Sequence, residues 1–359
     1  MLIDGRFLWQ VLKEPSLLKD LNGEALSDLI RLAWRQALAP RLGVVAQQAG
    51  VLGDLVPLAA QTLADLAITG ETSWRRLQFE MERIDAALRA ADFPVLLLKG
   101  GAYQAGDFSF SHGRLASDVD ILVPKESLDA CEQLLKEAGW EMEVKSAYAE
   151  RYYRQWMHEL PPLRHTKRKS LIDVHHTIVP PVARITPSPE AIFDCAVETS
   201  FETLKRPSHA DLFVHAALHC FYDGDFTAAL RSFLDLRDLI AALPDQQDRG
   251  LDRILERASV HEAKRPVADA LYLLVKVDDL ELTSKQATFV VQHSRPAALQ
   301  SFFFWAIAQR SFSTQPFRYR DPWLAHFALY ARSHWITMPP LMLARHTIAR
   351  LYQSARGQV

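Results

Sequence analysis

The hydrophobic periodicity of this chain changes at residue 93, and that change constrains the fold more than any other feature of the sequence. Up to residue 92, apolar side chains recur at helical spacing, which predicts a helical N-terminal region. Residues 95–98 (VLLL) then form a short, wholly apolar run between Pro94 and the pair Gly100 and Gly101. A run of this length with such boundaries is typical of a buried β-strand.

Elements of both kinds follow this strand. A short helix, a strand, a helix, a strand and a two-stranded hairpin are predicted, in that order, at residues 102–106, 118–123, 127–138, 140–144, 158–165 and 170–178. From residue 208 onward the apolar spacing is helical again. The order predicts an α+β fold in which a small mixed β-sheet forms a core over residues 93–180. An N-terminal helical region (1–92) and a C-terminal helical domain (181–359) flank this core.

Asp118 and Asp120 are the first candidate site residues. They stand two apart on a predicted strand, so their side chains project from the same face. Two neighbouring carboxylates repel each other when buried, and a bound divalent cation removes that cost. Mg²⁺ prefers oxygen ligands and is commonly shared between carboxylates and substrate phosphates. The pair therefore predicts a metal site, although Asp-x-Asp also occurs on exposed strand faces and in glycosyltransferases.

A second feature, Lys99 followed by Gly100 and Gly101, stands where the first strand should end and a helix should begin. Glycines at such a junction let backbone N–H groups approach a phosphate, and the positive end of the following helix adds to the attraction. A plain strand-to-helix turn favours glycine equally. The motif by itself leaves both interpretations open.

Together these features resemble the signature of the nucleotidyltransferases related to DNA polymerase β. The matching segments are LLLKGGAYQ and RLASDVDILV, which contain the Gly-Gly pair and the Asp-x-Asp pair. The order LKG, an insert, Arg114 and DVDILV is similar, more closely, to an uncharacterised branch of that superfamily, the fifth NTP-transferase family. The resemblance covers residues 93–180 and extends more weakly into later helical segments at 211–220 and 230–240. The gap between the two motifs is longer than the superfamily's shortest pattern, but it suits this family.

The resemblance implies a third carboxylate on a later strand, and Asp173 is the candidate. Strand alternation places its side chain on the same face as that of His175. Asp173 would complete the metal site and take the proton from the attacking hydroxyl, and His175 would contact the substrate or support the metal ligands. The alternative is a surface strand whose Asp and His side chains face solvent.

Polar residues close to the two motifs are candidates for nucleotide binding. Lys99 and Arg114 would neutralise the charge of a triphosphate, and an arginine can do so through two hydrogen bonds. Ser117, directly before Asp118, would contact a phosphate or simply begin the strand. For Arg114, a position on a solvated loop is the alternative.

The resemblance implies an enzyme, dependent on Mg²⁺ or Mn²⁺, that transfers a nucleoside monophosphate from an NTP to a hydroxyl acceptor and releases pyrophosphate. The acceptor would be a small molecule, a carbohydrate, a protein or a tRNA. A toxin–antitoxin-type modifier of a protein or tRNA would use the same residues, so the sequence does not separate the two. A non-catalytic nucleotide-binding or scaffold module is a third hypothesis, but a buried carboxylate pair without a metal would be costly. The Gly-Gly motif and the small sheet argue against a glycosyltransferase.

Charge, cysteine spacing and hydrophobic runs limit the partners, the metal sites and the location that this chain could have. The formal net charge is −2, so no overall electrostatic argument favours nucleic acid. The three cysteines are widely spaced without a CxxC pattern, which disfavours a zinc knuckle or a disulfide framework. The sequence contains no run of about 18 uncharged apolar residues and no recognisable secretory signal. We therefore expect no transmembrane segment and a cytoplasmic location.

Three features of the C-terminal half have open roles. His215 and His219 share a face of a predicted helix, where a structural or cleft role is favoured over zinc binding. The charged residues between 231 and 238 are predicted to pair at the surface rather than to line the cleft. The last 60 residues hold seven arginines and one acidic residue, with aromatic residues between them. This region is a candidate site for an anionic partner, and a helical bundle with internally paired arginines is the alternative.

Overall fold

The computed structural model describes residues 3–143, 153–154, 156–222, 226, 228–244, 247–312 and 323–337. In these ranges the chain forms fourteen α-helices and one six-stranded mixed sheet, which confirms the predicted α+β fold. No helix in the described ranges is long and apolar enough to cross a membrane. Most arginines of the C-terminal basic region lie outside the described residues, so its anionic partner stays a prediction.

Helices build the N-terminal region, as predicted. They are α1 (Gly5–Lys13), α2 (Gly23–Arg35), α3 (Ala39–Gln48) and α4 (Pro57–Ala87). Asp4 and Asn22 cap α1 and α2, because each side chain accepts a hydrogen bond from a backbone N–H of the first turn. Pro57 begins α4, where its missing N–H costs no hydrogen bond. The long α4 packs along α3 and also contacts the sheet, so it joins the two regions.

Six strands form a single sheet. They are β1 (Val95–Leu97), β2 (Asp118–Leu122), β3 (Trp140–Met142), β4 (Leu163–His165), β5 (Leu171–His175) and β6 (Leu204–Lys205). Their spatial order is β3-β4-β5-β2-β1-β6. β1 is antiparallel to β2 and parallel to β6, while β2 is parallel to β5. β3, β4 and β5 are antiparallel neighbours, so the predicted hairpin is present as β4 and β5.

The pairing of β2 with β5 decides which side chains meet at the centre of the sheet. The register puts Asp120 opposite Asp173 and Val119 opposite Ile172. Side chains that are paired across parallel strands lie on the same face, and successive side chains alternate between faces. Val119 and Ile172 are buried on one face, so the other face carries Asp120, Asp173 and also Asp118, two residues earlier.

Two elements near the sheet differ from the predicted pattern. The short helix expected at 102–106 is α5 (Lys99–Ala105), which begins almost directly after β1. β6 pairs with β1 although it follows residue 180, where the sequence places the end of the core. A two-residue strand carries too little periodicity to be recognised in the sequence. The predicted domain boundaries at residues 92 and 180 remain predictions.

Within the described residues, nine further helices complete the fold. They are α6 (Leu128–Glu137), α7 (Pro189–Asp194), α8 (His209–Tyr222), α9 (Ala229–Ala241), α10 (Gln247–Val260), α11 (Lys264–Val277), α12 (Ser284–His293), α13 (Ala297–Ser311) and α14 (Trp323–Thr337). α8 packs against α9, α10 and α11 and is buried around most of its circumference. Its apolar composition is that of a core helix rather than an amphipathic surface helix.

Candidate active site

The junction between β1 and α5 places Lys99 beside Asp120. Lys99 begins the helix with a φ of +44°, in the left-handed region that costs a non-glycine residue about 1–3 kcal/mol. Its Nζ lies 2.7 Å from Asp120 Oδ1. The backbone N–H of Leu98 donates to the Asp120 carbonyl at 2.9 Å. Strand pairing and the ion pair together hold the lysine in a conformation that it would rarely adopt alone.

Gly100 and Gly101 permit close packing at the first turn of α5. A Cβ atom on Gly100 would lie 2.6 Å from Arg114 Nη1. A Cβ atom on Gly101 would lie 3.2 Å from Leu97 Cδ2 and 3.4 Å from Met81 Sδ. Gly100 therefore leaves room for the guanidinium of Arg114, a contact that the sequence did not indicate, and Gly101 faces the apolar interior.

Three carboxylates lie on one face of the sheet. Strand alternation predicted this for Asp118 and Asp120, and the family resemblance implied that Asp173 would join them. Asp118 and Asp120 are on β2, and Asp173 faces Asp120 from β5. Asp118 Oδ1 accepts a hydrogen bond from Ser117 Oγ at 3.0 Å. Asp120 is only 4% exposed, and its Oδ1 also lies 3.0 Å from His175 Nε2. Lys99, Ser117 and His175 thus each contact a carboxylate of the Asp-x-Asp motif, and Asp173 faces the motif from the next strand.

The two facing aspartates have opposite pKa shifts. Burial raises the pKa of Asp120, but the charge of Lys99 and the hydrogen bond with His175 outweigh burial and hold the pKa well below its usual range. Burial is the largest cause of the shift at Asp173, and the negative charges of Glu159, Asp120 and Asp118 add to it. Together they raise the pKa of Asp173 to about 7. Asp120 is therefore ionised at neutral pH, whereas Asp173 is close to half-protonated.

Arg114 is buried between Asp235 and Tyr103. Its Nε and Nη2 donate to the Asp235 carboxylate at 3.0–3.2 Å, and its guanidinium carbon lies 5.1 Å from the centre of the Tyr103 ring. Burial lowers the pKa of Arg114, but the charge of Asp235 outweighs burial and raises it. Arg231 of α9 lies nearby, and its pKa is lowered by the charge of Arg114 and then by burial. Two neighbouring guanidinium groups favour the binding of an anion.

The predicted surface pairing of the charged residues between 231 and 238 is wrong. Asp235 and Asp238 are 5% and 7% exposed. Asp238 forms ion pairs with Arg41 of α3 and with its neighbour Arg237. Arg41 and Arg114, which lie outside α9, reach its buried face, and the neighbours Arg237 and Asp238 also pair there. The carboxylates of α9 are therefore paired in the interior rather than at the surface.

The carboxylates of β2 and the cationic side chains near them border a cleft of about 810 Å³. Of the predicted site residues, its lining includes Lys99, Gly100, Arg114, Ser117, Asp118 and Asp120. Arg76 of α4, His219 of α8 and Arg231 of α9 extend the polar lining. Gly101, Asp173 and His175 are not among the described residues that line it. Arginine and lysine outnumber carboxylates among the described lining residues, which suits a polyphosphate.

One protein family, described as uncharacterised nucleotidyltransferase, has a model that matches residues 22–277. The chain belongs to this family. The match begins at the N-cap of α2 and ends with α11, so it includes the whole described sheet and the cleft. A comparison with the curated proteins found no match. Membership confirms the resemblance seen in the sequence, and nucleotidyl transfer is the general reaction of the family.

In this nucleotidyltransferase, two residues beside the predicted site were not recognisable from the sequence. Among the described residues, one group of three side chains brings potential metal-ligand atoms within 4.8 Å of one another, and it consists of His158, Glu159 and His175. Glu159 forms an isolated bridge with His175, which places the segment before β4 beside β5. No motif marks this group, because His158 and Glu159 meet His175 only through that pairing.

The two histidines of α8 have separate positions. His215 is buried. Burial, and to a smaller extent the positive charge of Lys99, holds the pKa of His215 well below its ordinary value. His215 is therefore neutral at neutral pH. His219 lines the cleft. These positions agree with a structural role for one and a cleft role for the other, as the sequence favoured.

Proposed function

We propose that this nucleotidyltransferase binds Mg²⁺ or Mn²⁺ at Asp118, Asp120 and Asp173, and that it transfers an NMP from an NTP to a hydroxyl acceptor. The observation that carries the proposal is the parallel register of β2 and β5, which sets three carboxylates on one face beside a cleft rich in arginine and lysine. This arrangement combines oxygen ligands for a hard cation with positive groups for phosphates.

The carboxylates fit a divalent cation on physical grounds. The raised pKa of Asp173 reflects burial and the repulsion of neighbouring carboxylates, and a cation among them offsets both. Lys99 meets part of this need at Asp120 through its ion pair. When bound, the cation supplies positive charge at the reacting phosphate and makes the acceptor hydroxyl easier to deprotonate.

Three cationic side chains would hold the triphosphate. Arg114 is fixed in position by Asp235 and Tyr103, so it presents its remaining N–H groups without losing much side-chain entropy on binding. Arg231 lies next to it, and an anion between the two relieves their mutual repulsion. Lys99 would exchange Asp120 for a phosphate oxygen when a cation takes its place at the carboxylate.

Asp173 would receive the proton of the acceptor hydroxyl. Its pKa is about 7 in the metal-free chain and would fall when a cation binds, so the carboxylate would be ionised and able to accept a proton at neutral pH. Asp120 stays ionised because Lys99 and His175 stabilise its charge. The two facing aspartates therefore suit different tasks, one as a permanent anion and the other as a proton acceptor.

Calorimetric titration of each NTP in the presence of Mg²⁺ or Mn²⁺ tests the proposal. We expect metal-dependent binding by the wild type and its loss in the double variant Asp118→Asn/Asp120→Asn. A matched control, Asp65→Asn/Asp129→Asn, changes two exposed carboxylates and should bind as the wild type does. The proposal fails if the wild type binds no NTP with either cation, or if the double variant binds unchanged.

A second experiment identifies the acceptor of the transferred group. The NTP that binds most tightly would be supplied with an α-phosphate label to candidate small molecules, carbohydrates, proteins and tRNA. Label in a protein or tRNA would support the modifying, toxin–antitoxin-type activity, and label in a small molecule or carbohydrate would support the alternative. Pyrophosphate release measured in parallel checks that the transferred group is an NMP.

A further inference from the structure

A second group of polar side chains lies next to the proposed Mg²⁺ site, and its donor atoms differ in kind. His158, Glu159 and His175 offer two imidazole nitrogens and a carboxylate oxygen, all within 4.8 Å of one another. Imidazole nitrogen is a poor ligand for Mg²⁺, but it is a preferred ligand for zinc and similar first-row ions. Two histidines and one glutamate form a known zinc-ligand set.

The separations between these atoms match a coordination shell better than hydrogen bonds. Glu159 Oε2 lies 3.4 Å from His175 Nδ1 and 3.7 Å from His158 Nε2. Hydrogen bonds of this kind are usually about 2.7–3.2 Å long. Bonds of about 2.0–2.2 Å from a tetrahedral zinc ion place neighbouring ligand atoms about 3.3–3.6 Å apart. Both separations from Glu159 Oε2 are close to that spacing.

The position of His175 leads to the same conclusion. Its Nε2 lies 3.0 Å from Asp120 Oδ1, while its Nδ1 faces Glu159 Oε2 at 3.4 Å. Within the described residues this Nδ1 atom is buried and makes no hydrogen bond. A cation between Nδ1 and the Glu159 carboxylate would bind to both groups.

Backbone hydrogen bonds link the segment that carries His158 and Glu159 to the end of β5. The N–H of Leu160 donates to the Val174 carbonyl at 2.8 Å, and the N–H of His176 donates to the His158 carbonyl at 2.9 Å. The rings of His158 and His175 are stacked, with centroids 5.1 Å apart. A short piece of sheet therefore holds the ligands in place, which lowers the entropy lost on metal binding.

We propose that His158, Glu159 and His175 bind Zn²⁺ or a similar first-row divalent ion, separately from the Mg²⁺ or Mn²⁺ site of the proposed transferase reaction. Three protein ligands leave the fourth position of a tetrahedral ion open to water or substrate. Asp120 would orient His175 from the second nitrogen, as a carboxylate commonly does for a metal-bound histidine. The two cation sites would thereby be connected through one imidazole ring.

Cobalt titration tests this site without any measurement of activity. Full-length protein would be freed of metal with a chelator, supplied with excess Mg²⁺, and titrated with Co²⁺ while the visible absorption of the ion is recorded. We expect one equivalent to bind with the intense spectrum of four-coordinate Co²⁺, and Zn²⁺ to displace it. His158→Gln and Glu159→Gln should each weaken binding by more than about 100-fold, because removal of a group that merely orients a ligand already costs about 10- to 100-fold.

Two control variants separate this inference from the proposed transferase site. His293→Gln changes a histidine on α12, outside this cluster, and should leave cobalt binding unchanged. Asp118→Asn should weaken Mg²⁺–NTP binding but retain cobalt. The inference is overturned if the wild type binds no stoichiometric Co²⁺, or if both ligand variants bind it as tightly as the wild type. Loss of cobalt in folded ligand variants, judged by circular dichroism, supports it whatever their affinity for nucleotide.

Discussion

Replacement of Asp173 by asparagine should stabilise the metal-free protein above neutral pH, although it removes the proposed proton acceptor. In the folded chain, burial, Glu159 and the two aspartates of β2 raise the pKa of Asp173 from 3.8 to about 7. An ionised carboxylate in this position is therefore unfavourable as long as no cation is bound. Asparagine has nearly the same shape and carries no charge, so it should remove this unfavourable interaction.

The direction and size of the effect follow from proton binding. The folded state keeps the proton up to about pH 7, whereas the unfolded state releases it near pH 3.8, so the contribution of Asp173 to stability is lost as the pH rises between these values. A pKa difference of about 3 corresponds to at most about 4 kcal/mol in the free energy of unfolding. The variant does not titrate at this position, so its advantage over the wild type should grow with pH and level off above about pH 7.

Urea unfolding followed by circular dichroism, in the presence of a chelator, measures this difference. The wild type and Asp173→Asn would be compared from about pH 5 to about pH 8, a range that covers most of the expected change. Asp65→Asn, an exposed replacement on α4, serves as the matched control. A stability difference between wild type and Asp173→Asn that stays constant over this range would refute the reasoning. Saturating Mg²⁺ should restore the stability of the wild type more than that of the variant.

Other predictions concern the phosphate subsite, helix packing and thiol reactivity. Tripolyphosphate should raise the melting temperature of the wild type, and Arg231→Met should remove most of this increase because one of two adjacent guanidinium groups is lost. Differential scanning fluorimetry of both proteins, with and without tripolyphosphate, measures the effect. Gly43→Ala should lower the free energy of unfolding in urea by about 1–3 kcal/mol, because the new Cβ would lie 2.5 Å from backbone atoms of α4. Gly23→Ala is the control: its Cβ would meet nothing within 4 Å, so it should not destabilise the fold. A thiol reagent should modify the exposed Cys195 rapidly, but Cys131 only when the protein unfolds. Burial, and to a smaller extent the charge of Glu132, raises the pKa of the Cys131 thiol to about 12.

Local patterns predicted the elements that carry the proposed site. The short apolar run of β1 has no competing interpretation once proline and glycine bound it, and alternation correctly placed Asp118 and Asp120 on one face of β2. The hairpin of β4 and β5 was recognisable from the turn-like basic stretch between the two segments, although β4 itself has only three residues. β6 was missed because two residues show no period.

Charged groups that are distant in sequence were harder to predict. The carboxylate of Asp235 reaches Arg114 from 121 residues away, and the surface pairing predicted for it was wrong because packing buries that face of α9. Glu159 was missed for a similar reason. A lone glutamate before a strand has no distinguishing pattern, and its importance depends on the pairing that brings it to His175.

The sequence by itself determined the fold class, the family and the kinds of side chain available for chemistry, because periodicity and short motifs are local properties. The tertiary structure decided which of those side chains meet. The register between β2 and β5 sets Asp173 opposite Asp120, and the turn into α5 brings Lys99 to the same carboxylate. Burial and these neighbours then shift the pKa values of the two aspartates in opposite directions. Such shifts depend on distances across the sheet, which no local pattern encodes.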